Sequence, residues 1–476
     1  MQKNHLEKIH PRGEEHYEFE TAGGRIGLRA SEELLTPYGG LVAFAAFLKR
    51  MGVVETLAGA CPAKRTSPNA KPVGDIMHSF MLTALADGRR FAHVERLRED
   101  PALCEVFGMN SAVGPDTMRR LFASMSQDEG AQWLDEASAV LWPMLPERII
   151  LDWDSTVQTK YGHQEGAAIG YNPVKPGRKS FHPLLAIAAG TRLGMAYRFR
   201  GGDTVTASQW AEAMEQVQRR LGKRKIWLNR GDLGLGHEAI MRWHETREGA
   251  PHYLFKLKQT KNVKEAIHMI PESRWEGPGQ NGAWQVAETQ VKLEGWSRER
   301  RVVVARKTQG SVPASEQAEL WKLNRHDYAA YVTDLPKETI NAWQIQTLYN
   351  ERADAENVFD ELKNQWGFNG FCSRKKTVSA MAAQLLLLTY NLWSVFMRLM
   401  EPNRHVEAVK SRRWFLLIAG RLVESGRQKA LAISVKGAWW EQLKEGYKRV
   451  LQWLAATAPQ LDNGTPDLSK LLPAPS

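Results

Sequence analysis

At 476 residues and 43% hydrophobic content, the chain is too long for one simple core and carries apolar material for about two to four domains. Its formal charge of +11, from 64 Lys and Arg against 53 Asp and Glu spread along the sequence, favours a polyanionic partner. Three widely spaced cysteines, Cys61, Cys104 and Cys372, leave no disulfide framework or zinc site to build and fit a reducing compartment, and the polar start MQKNHLEKIHPRGEEHYEFE has no apolar stretch to serve as an export signal.

Residues 1–30 read as polar. Residues 34–57 carry helical periodicity and run into AGACPAKRTSPNAKPVG (58–74), a loop punctuated by Pro62, Pro68 and Pro72 and carrying Lys64, Arg65 and Lys71. Short helical patterns fill 73–125. The last opens at Gly114-Pro115-Asp116, where a proline near the first helical position is a start signal, and Arg119 and Arg120 follow at once. Short helices with a basic late member suit a helix-turn-helix-like DNA reader and equally any small helical bundle.

The character changes at Arg148. IILDWDSTV (149–157) reads as a strand whose alternation puts Asp152 and Asp154 on one face, against Ile149, Leu151 and Trp153 on the other. Two acids on an apolar strand need a reason, because a buried carboxylate must be paired or bind metal. A basic, Gly- and Pro-rich connection (161–179) carries Lys175, Arg178 and Lys179, and two further strands, 181–188 and 195–200, complete a meander around the turn at 190–194. An amphipathic helix over 206–221 leads to the strand KIWLN (225–229) and Arg230-Gly231-Asp232, whose acid lies past a strand end, where open α/β sheets gather ligands. The same Asp232 could instead cap a helix starting near His237.

From 252 to 333 the pattern is strand-rich, with HYLFKLKQ, AWQVAETQVKLEG, RRVVVARK and DYAAYVTDL separated by loops. Next comes WQIQTLYNERADAENVFDELKNQW (343–366). Taken as one helix, it places Tyr349, Arg352, Glu356 and Lys363 at roughly 0°, 300°, 340° and 320°, a polar strip with one carboxylate between two cations, beside an apolar face. Further helices are expected over 377–400, 412–424 and 438–454, ahead of a Pro-rich loose tail at 457–476. The stretch MAAQLLLLTYNLWSVFMRLM (381–400) has the length of a membrane span, but Gln384, Asn391 and Arg398 interrupt it, so it reads as a buried helix.

Asp154, Asp232 and Glu356 thus come from distant segments onto one sheet edge, where three acids repel unless divalent cations compensate them. Tyr349, Arg352, Glu356 and Lys363 match the Tyr-x2-Arg-x3-Glu-x6-Lys signature, and the chain resembles the DDE insertion-sequence transposases with a ribonuclease-H-like core. Asp154-Ser155-Thr156, Gly170-Tyr171, Phe181-His182-Pro183-Leu184 and Arg230-Gly231-Asp232-Leu233-Gly234 look most like the thirteen-eighty family of insertion sequences.

The resemblance implies an α/β fold: a ribonuclease-H-like core in two parts (148–250 and 336–376), a β-rich insertion between them (251–335), a helical N-terminal DNA-binding region (1–147), and a helical C-terminal region with its tail (377–476). It implies a cytoplasmic, nucleoid-associated bacterial enzyme that binds double-stranded DNA at terminal inverted repeats and assembles a synaptic homodimer without a membrane. The enzyme would cleave with Mg²⁺, two ions held by Asp154, Asp232 and Glu356, with Mn²⁺ able to substitute, and would join the 3′-OH to target DNA. Tyr349, Arg352 and Lys363 would hold the end's backbone. Excision could pass through a hairpin, with Tyr328, Tyr331 or Trp321 stacking a displaced base. Asp152 and Asp360 stay open as alternatives to Asp154 and Glu356. A metal-dependent structure-specific endonuclease and a transposase-derived repressor are the competing readings.

Overall fold

The computed structural model describes residues 16–30, 32–277, 284–308 and 326–456. The chain begins with a hairpin, β1 (His16–Thr21) and β2 (Gly24–Arg29), in a region whose polarity had suggested no element. A short strand β3 (Leu35–Thr36) precedes a helical block of α1 (Leu41–Met51), α2 (Val53–Gly59), α3 (Val73–Leu85), α4 (Glu95–Arg98), α5 (Pro101–Val106), α6 (Pro115–Ala123) and α7 (Gln127–Ser138). The single periodic segment expected over 34–57 is split, because Gly52 takes φ 65° and its N–H closes α1 onto the Leu48 and Lys49 carbonyls. Where proline announces a start, α6 begins at Pro115.

The next elements are β4 (Arg148–Ser155), β5 (Gln158–Thr159), β6 (Ala168–Ile169), β7 (Lys179–Phe181), β8 (Leu184–Ala188), β9 (Leu193–Arg198), α8 (Trp210–Arg220), β10 (Lys225–Gly231), α9 (Glu238–Thr246), β11 (His252–Lys256) and α10 (Lys261–His268). Three long strands follow, β12 (Trp284–Val291), β13 (Arg300–Thr308) and β14 (His326–Thr333). They join one eight-stranded sheet in the order β12-β13-β14-β11-β10-β4-β8-β9. β4 and β11 flank β10 in parallel, and β4-β8-β9 is the expected antiparallel meander. The strand-rich segment is therefore continuous with the core sheet. Its first strand, β11, is an interior parallel strand, and β14 pairs directly onto it.

The predicted single helix over 343–366 is two: α11 (Ala342–Asn350) and α12 (Ala353–Gln365). At the junction the N–H groups of Arg352, Asp354 and Ala355 bond three residues back instead of four, which tightens the backbone and breaks the common helical wheel. The last elements are α13 (Lys376–Met400), α14 (Ala408–Ser411), β15 (Gly420–Ser425), β16 (Gln428–Ile433) and α15 (Gly437–Ala455). The helix expected over 412–424 is instead a π-helical turn, Arg412–Leu416, running into β15. Gly426 at φ 61° closes the β15–β16 hairpin, and β15 pairs with β3 near the other end of the chain. Both terminal regions are thus mixed, with strands among their helices.

The centre of the core is α13, packed against α3, α6, α7, α15 and β9. It is long and apolar enough to cross a membrane, but its apolar window is wholly buried in the protein. The three polar residues that interrupt its sequence explain its place. Gln384 donates to the Ala131 carbonyl at 2.9 Å and to Asp135 at 2.8 Å. Asn391 bonds both the N–H and the C=O of Gly194, at 2.8 and 2.9 Å, as a strand neighbour would. Arg398 bonds the carbonyls of Gly190 and Thr191 at 3.1 and 3.0 Å. Between them Leu385, Leu386 and Leu388 are almost fully buried, each contributing about 1.5–3 kcal/mol. The apolar face thus glues the helical block to the meander, and the polar residues set its register.

Candidate active site

β4 runs outward from the core between two neighbours, and its two aspartates meet different fates. Asp152 is 1% exposed and is gripped by Arg230 of β10 through two bonds, 2.6 and 2.8 Å long. The parallel register puts Arg230 opposite Asp152. Burial pushes the Asp152 carboxyl up, and Arg230 followed by Arg352 opposes that. Asp152 is a structural ion pair in this arrangement.

Asp154 lies two residues on, at the strand's open end. The register continues Trp153↔Gly231, so Asp232 falls beside Asp154 at the carboxyl ends of adjacent parallel strands, about 5 Å apart by strand spacing. Gly231 is required here, since a methyl group on it would lie 2.3 Å from Leu235 Cδ1. Asp232 does not cap α9; His237 occupies that position, and Asp232 accepts the Leu235 N–H through its carbonyl. Burial, opposed by Arg352 and by the Ser155 N–H and reinforced by Asp232, holds the Asp154 carboxyl above its usual range.

The junction between α11 and α12 supplies the next charge. Arg352, 3% exposed, reaches Asp154 Oδ2 at 2.9 Å, Glu356 Oε1 at 3.0 Å and the Trp153 carbonyl at 3.3 Å. Against the cost of burial, Asp154 leads the groups that hold this guanidinium firmly charged. Glu356 itself is open, with 64% of its side chain exposed. Lys363 is half-buried and feels both Asp154 and Asp360, while burial pulls its ammonium down. Asp360 is exposed and accepts from Asn364 at 2.7 Å. Tyr349 is largely buried, its ring 4.5 Å from that of Tyr331. The expected open polar strip is thus graded, from buried Tyr349 and Arg352 through half-buried Lys363 to exposed Glu356.

The remaining basic candidates lie elsewhere, and the arginines among them have local partners. Arg119 pairs with Asp116 at 2.7 Å and covers Phe91, and Arg120 bonds the Asp116 carbonyl at 3.3 Å. Lys179 opens β7, the central strand of the small sheet β5-β7-β6, and Lys175 and Arg178 precede it, all three exposed, with Arg178 over Tyr161. Of the three candidate base-stacking aromatics, Tyr331 is buried against Tyr349, Tyr328 packs with Trp275, His268 and His326, and Trp321 falls outside the described residues.

Two features escaped the sequence reading. Arg192, at φ 58°, pairs with Asp354 in the first turn of α12, and His182 reaches Ser155 beside Asp154. Only the second had a signal, the His-Pro pair within Phe181-His182-Pro183-Leu184.

Carboxylate oxygens at adjacent strand ends, next to a cationic clamp, are the hard donors a magnesium ion takes together with substrate phosphate. Among the described residues no three acidic, histidine or cysteine side chains stand close enough together to enclose an ion; Arg352 lies between Asp154 and Glu356. The donor chemistry therefore fits a divalent cation at the aspartate pair, with Glu356 joined to it through Arg352.

A family model described as transposase DDE domain group 1 matches residues 21–455. No curated protein matches the chain. Among solved structures, a piggyBac transposase synaptic complex with hairpin DNA, determined by cryo-EM, aligns over 93% of this chain and 88% of that chain at 11% identity and a TM-score of 0.39, a likeness too distant to bear on function.

Proposed function

Because the chain belongs to the DDE transposase family, group 1, we infer that it is a DNA transposase that cuts the ends of an insertion sequence by Mg²⁺-dependent phosphodiester hydrolysis and joins the freed 3′-OH to target DNA. The observation that carries this reading is the single guanidinium of Arg352 bonded to both Asp154 and Glu356, next to the strand-end pair Asp154 and Asp232. Three parallel strands beside an antiparallel meander support the assignment of a ribonuclease-H-like core.

In this proposal Asp154 and Asp232 would hold the metal, and Glu356, bonded to Arg352 in this arrangement, is the third proposed ligand. When bound, two such ions activate the attacking oxygen and neutralise charge on the phosphate under attack. The protein's own part is to place the DNA. Arg352 and Lys363 offer cations to the scissile strand's phosphates, while Tyr349 packs against Tyr331, largely buried. Arg119, Arg120, Lys175, Arg178 and Lys179 are proposed as backbone contacts away from the acids, where they add affinity without sequence information. Two ends must be joined, so a synaptic homodimer is proposed, and a hairpin excision route with Tyr328 or Tyr331 against a displaced base is the finer form of the same reading.

The test is joining. Supplied with a pre-cut end bearing a 3′-OH, a supercoiled target plasmid and Mg²⁺, the protein is expected to yield plasmid covalently linked to the end. Cleavage of intact ends without any joined product would favour a structure-specific endonuclease. Binding with neither reaction would favour a repressor.

A further inference from the structure

His182 and Thr206 have no part in the cleavage scheme, yet both bond the residue that follows Asp154, and Thr206 also touches the loop after Asp232. Ser155 donates its backbone N–H to Asp154 Oδ1 at 2.7 Å. Its hydroxyl lies 2.8 Å from His182 Nε2 and 3.0 Å from Thr206 Oγ1. His182 Nδ1 is 2.9 Å from the Thr204 carbonyl, which can only accept, so Nδ1 carries the proton and Nε2 accepts from the Ser155 hydroxyl. The Ser155 oxygen then accepts from Thr206. Burial, opposed by the bond to the Thr204 carbonyl, holds the His182 imidazole below its ordinary value.

Thr206 also touches the loop that follows Asp232. A methyl group on Gly234 would lie 2.7 Å from both Thr206 Cβ and Oγ1, so the Thr206 side chain packs on this loop because residue 234 is glycine. Arg200, 2% exposed, fastens the assembly from behind. Its Nε donates to the His182 carbonyl at 2.9 Å, and its Nη1 donates to the carbonyls of Thr206 at 3.1 Å, Val205 at 3.3 Å and Ser208 at 2.5 Å. A buried arginine whose Nε and Nη1 both go to carbonyls holds a loop in one geometry.

We propose that His182, Ser155 and Thr206 form a positioning relay that fixes the separation and orientation of the Asp154 and Asp232 carboxylates for a divalent cation, with Thr206 as the link between the two strand ends. The relay rests on the reading of these aspartates as metal ligands. Groups that orient ligating carboxylates matter to metal affinity about 10–100-fold.

The experiment is a magnesium titration of the DNA-free full chain, read by thermal melting, with nicking of an end duplex followed in parallel. Wild type is compared with Thr206→Val, which keeps the shape against Gly234 and removes the hydroxyl, with Thr206→Ser, which restores it, and with His182→Phe. The expected result is a half-saturating magnesium concentration raised about 10–100-fold in Thr206→Val and His182→Phe, recovery in Thr206→Ser, and melting in EDTA close to wild type for Thr206→Val. A magnesium response in Thr206→Val equal to wild type overturns the relay, as does equal weakening in Thr206→Ser, which would assign the effect to packing. A wild-type response that persists in Asp154→Asn combined with Asp232→Asn, or no response at all, overturns the reading of the aspartates and the relay with it.

Discussion

Replacing Arg230 with methionine is expected to destabilise the protein by about 3–5 kcal/mol, the cost of stranding a buried carboxylate. Arg230 and Asp152 are each 1% exposed and joined by two bonds. Arg230 also bonds the Leu348 carbonyl near the end of α11 and lies 3.7 Å from Glu351, so it ties α11 to the sheet. The loss is read as a fall in the urea midpoint. Because a buried pair replaced by apolar groups of similar volume is often neutral, Asp152→Leu combined with Arg230→Met is expected to recover most of it. A single variant with the wild-type midpoint would show that the pair contributes little to stability and would reopen Asp152 as a ligand.

The second large effect is expected at Arg352. Arg352→Met removes the nearest cation from Asp154, whose carboxyl is already held up by burial and by Asp232. Nicking of an end duplex is expected to fall about 10–100-fold, as when the outer partner of a metal-ligating carboxylate is lost. Arg352→Lys is not expected to restore it, because one ammonium cannot bridge Asp154 and Glu356 in the manner of a planar fork. The pH profile should move as well. Arg352 lowers the Asp154 value, so without it Asp154 is protonated at higher pH, and the acid limb of the single-turnover rate shifts upward. An unchanged rate and acid limb in Arg352→Met would remove Arg352 from the site.

What the sequence reveals here depends on whether a signal is local. The strand through Asp154, the meander, the strand ending at Asp232 and the Pro115 start of α6 are written in alternation and turn chemistry, and they form where expected. The burial of the 381–400 stretch is also written there, in Gln384, Asn391 and Arg398. The break at Arg352 is not, since both of its neighbours are competent helix residues and only three-residue backbone bonds betray it. The β15–β16 hairpin was missed because RLVES also fits a helical face, and its strand identity comes from pairing with β3, far away in sequence. The difference between Asp152 and Asp154 likewise needs the register with β10, because alternation alone puts them on the same face. The Thr206 link depends on a loop approach that no periodicity encodes.

The most direct measurement is single-turnover nicking of a labelled duplex bearing the element's end, with Mg²⁺ or EDTA, for wild type beside Asp154→Asn, Asp232→Asn and Glu356→Gln. The expected result is metal-dependent nicking in wild type and a loss of about a hundredfold or more in each variant, with end binding in EDTA retained. Nicking at the wild-type rate in Glu356→Gln or in either aspartate variant would contradict it.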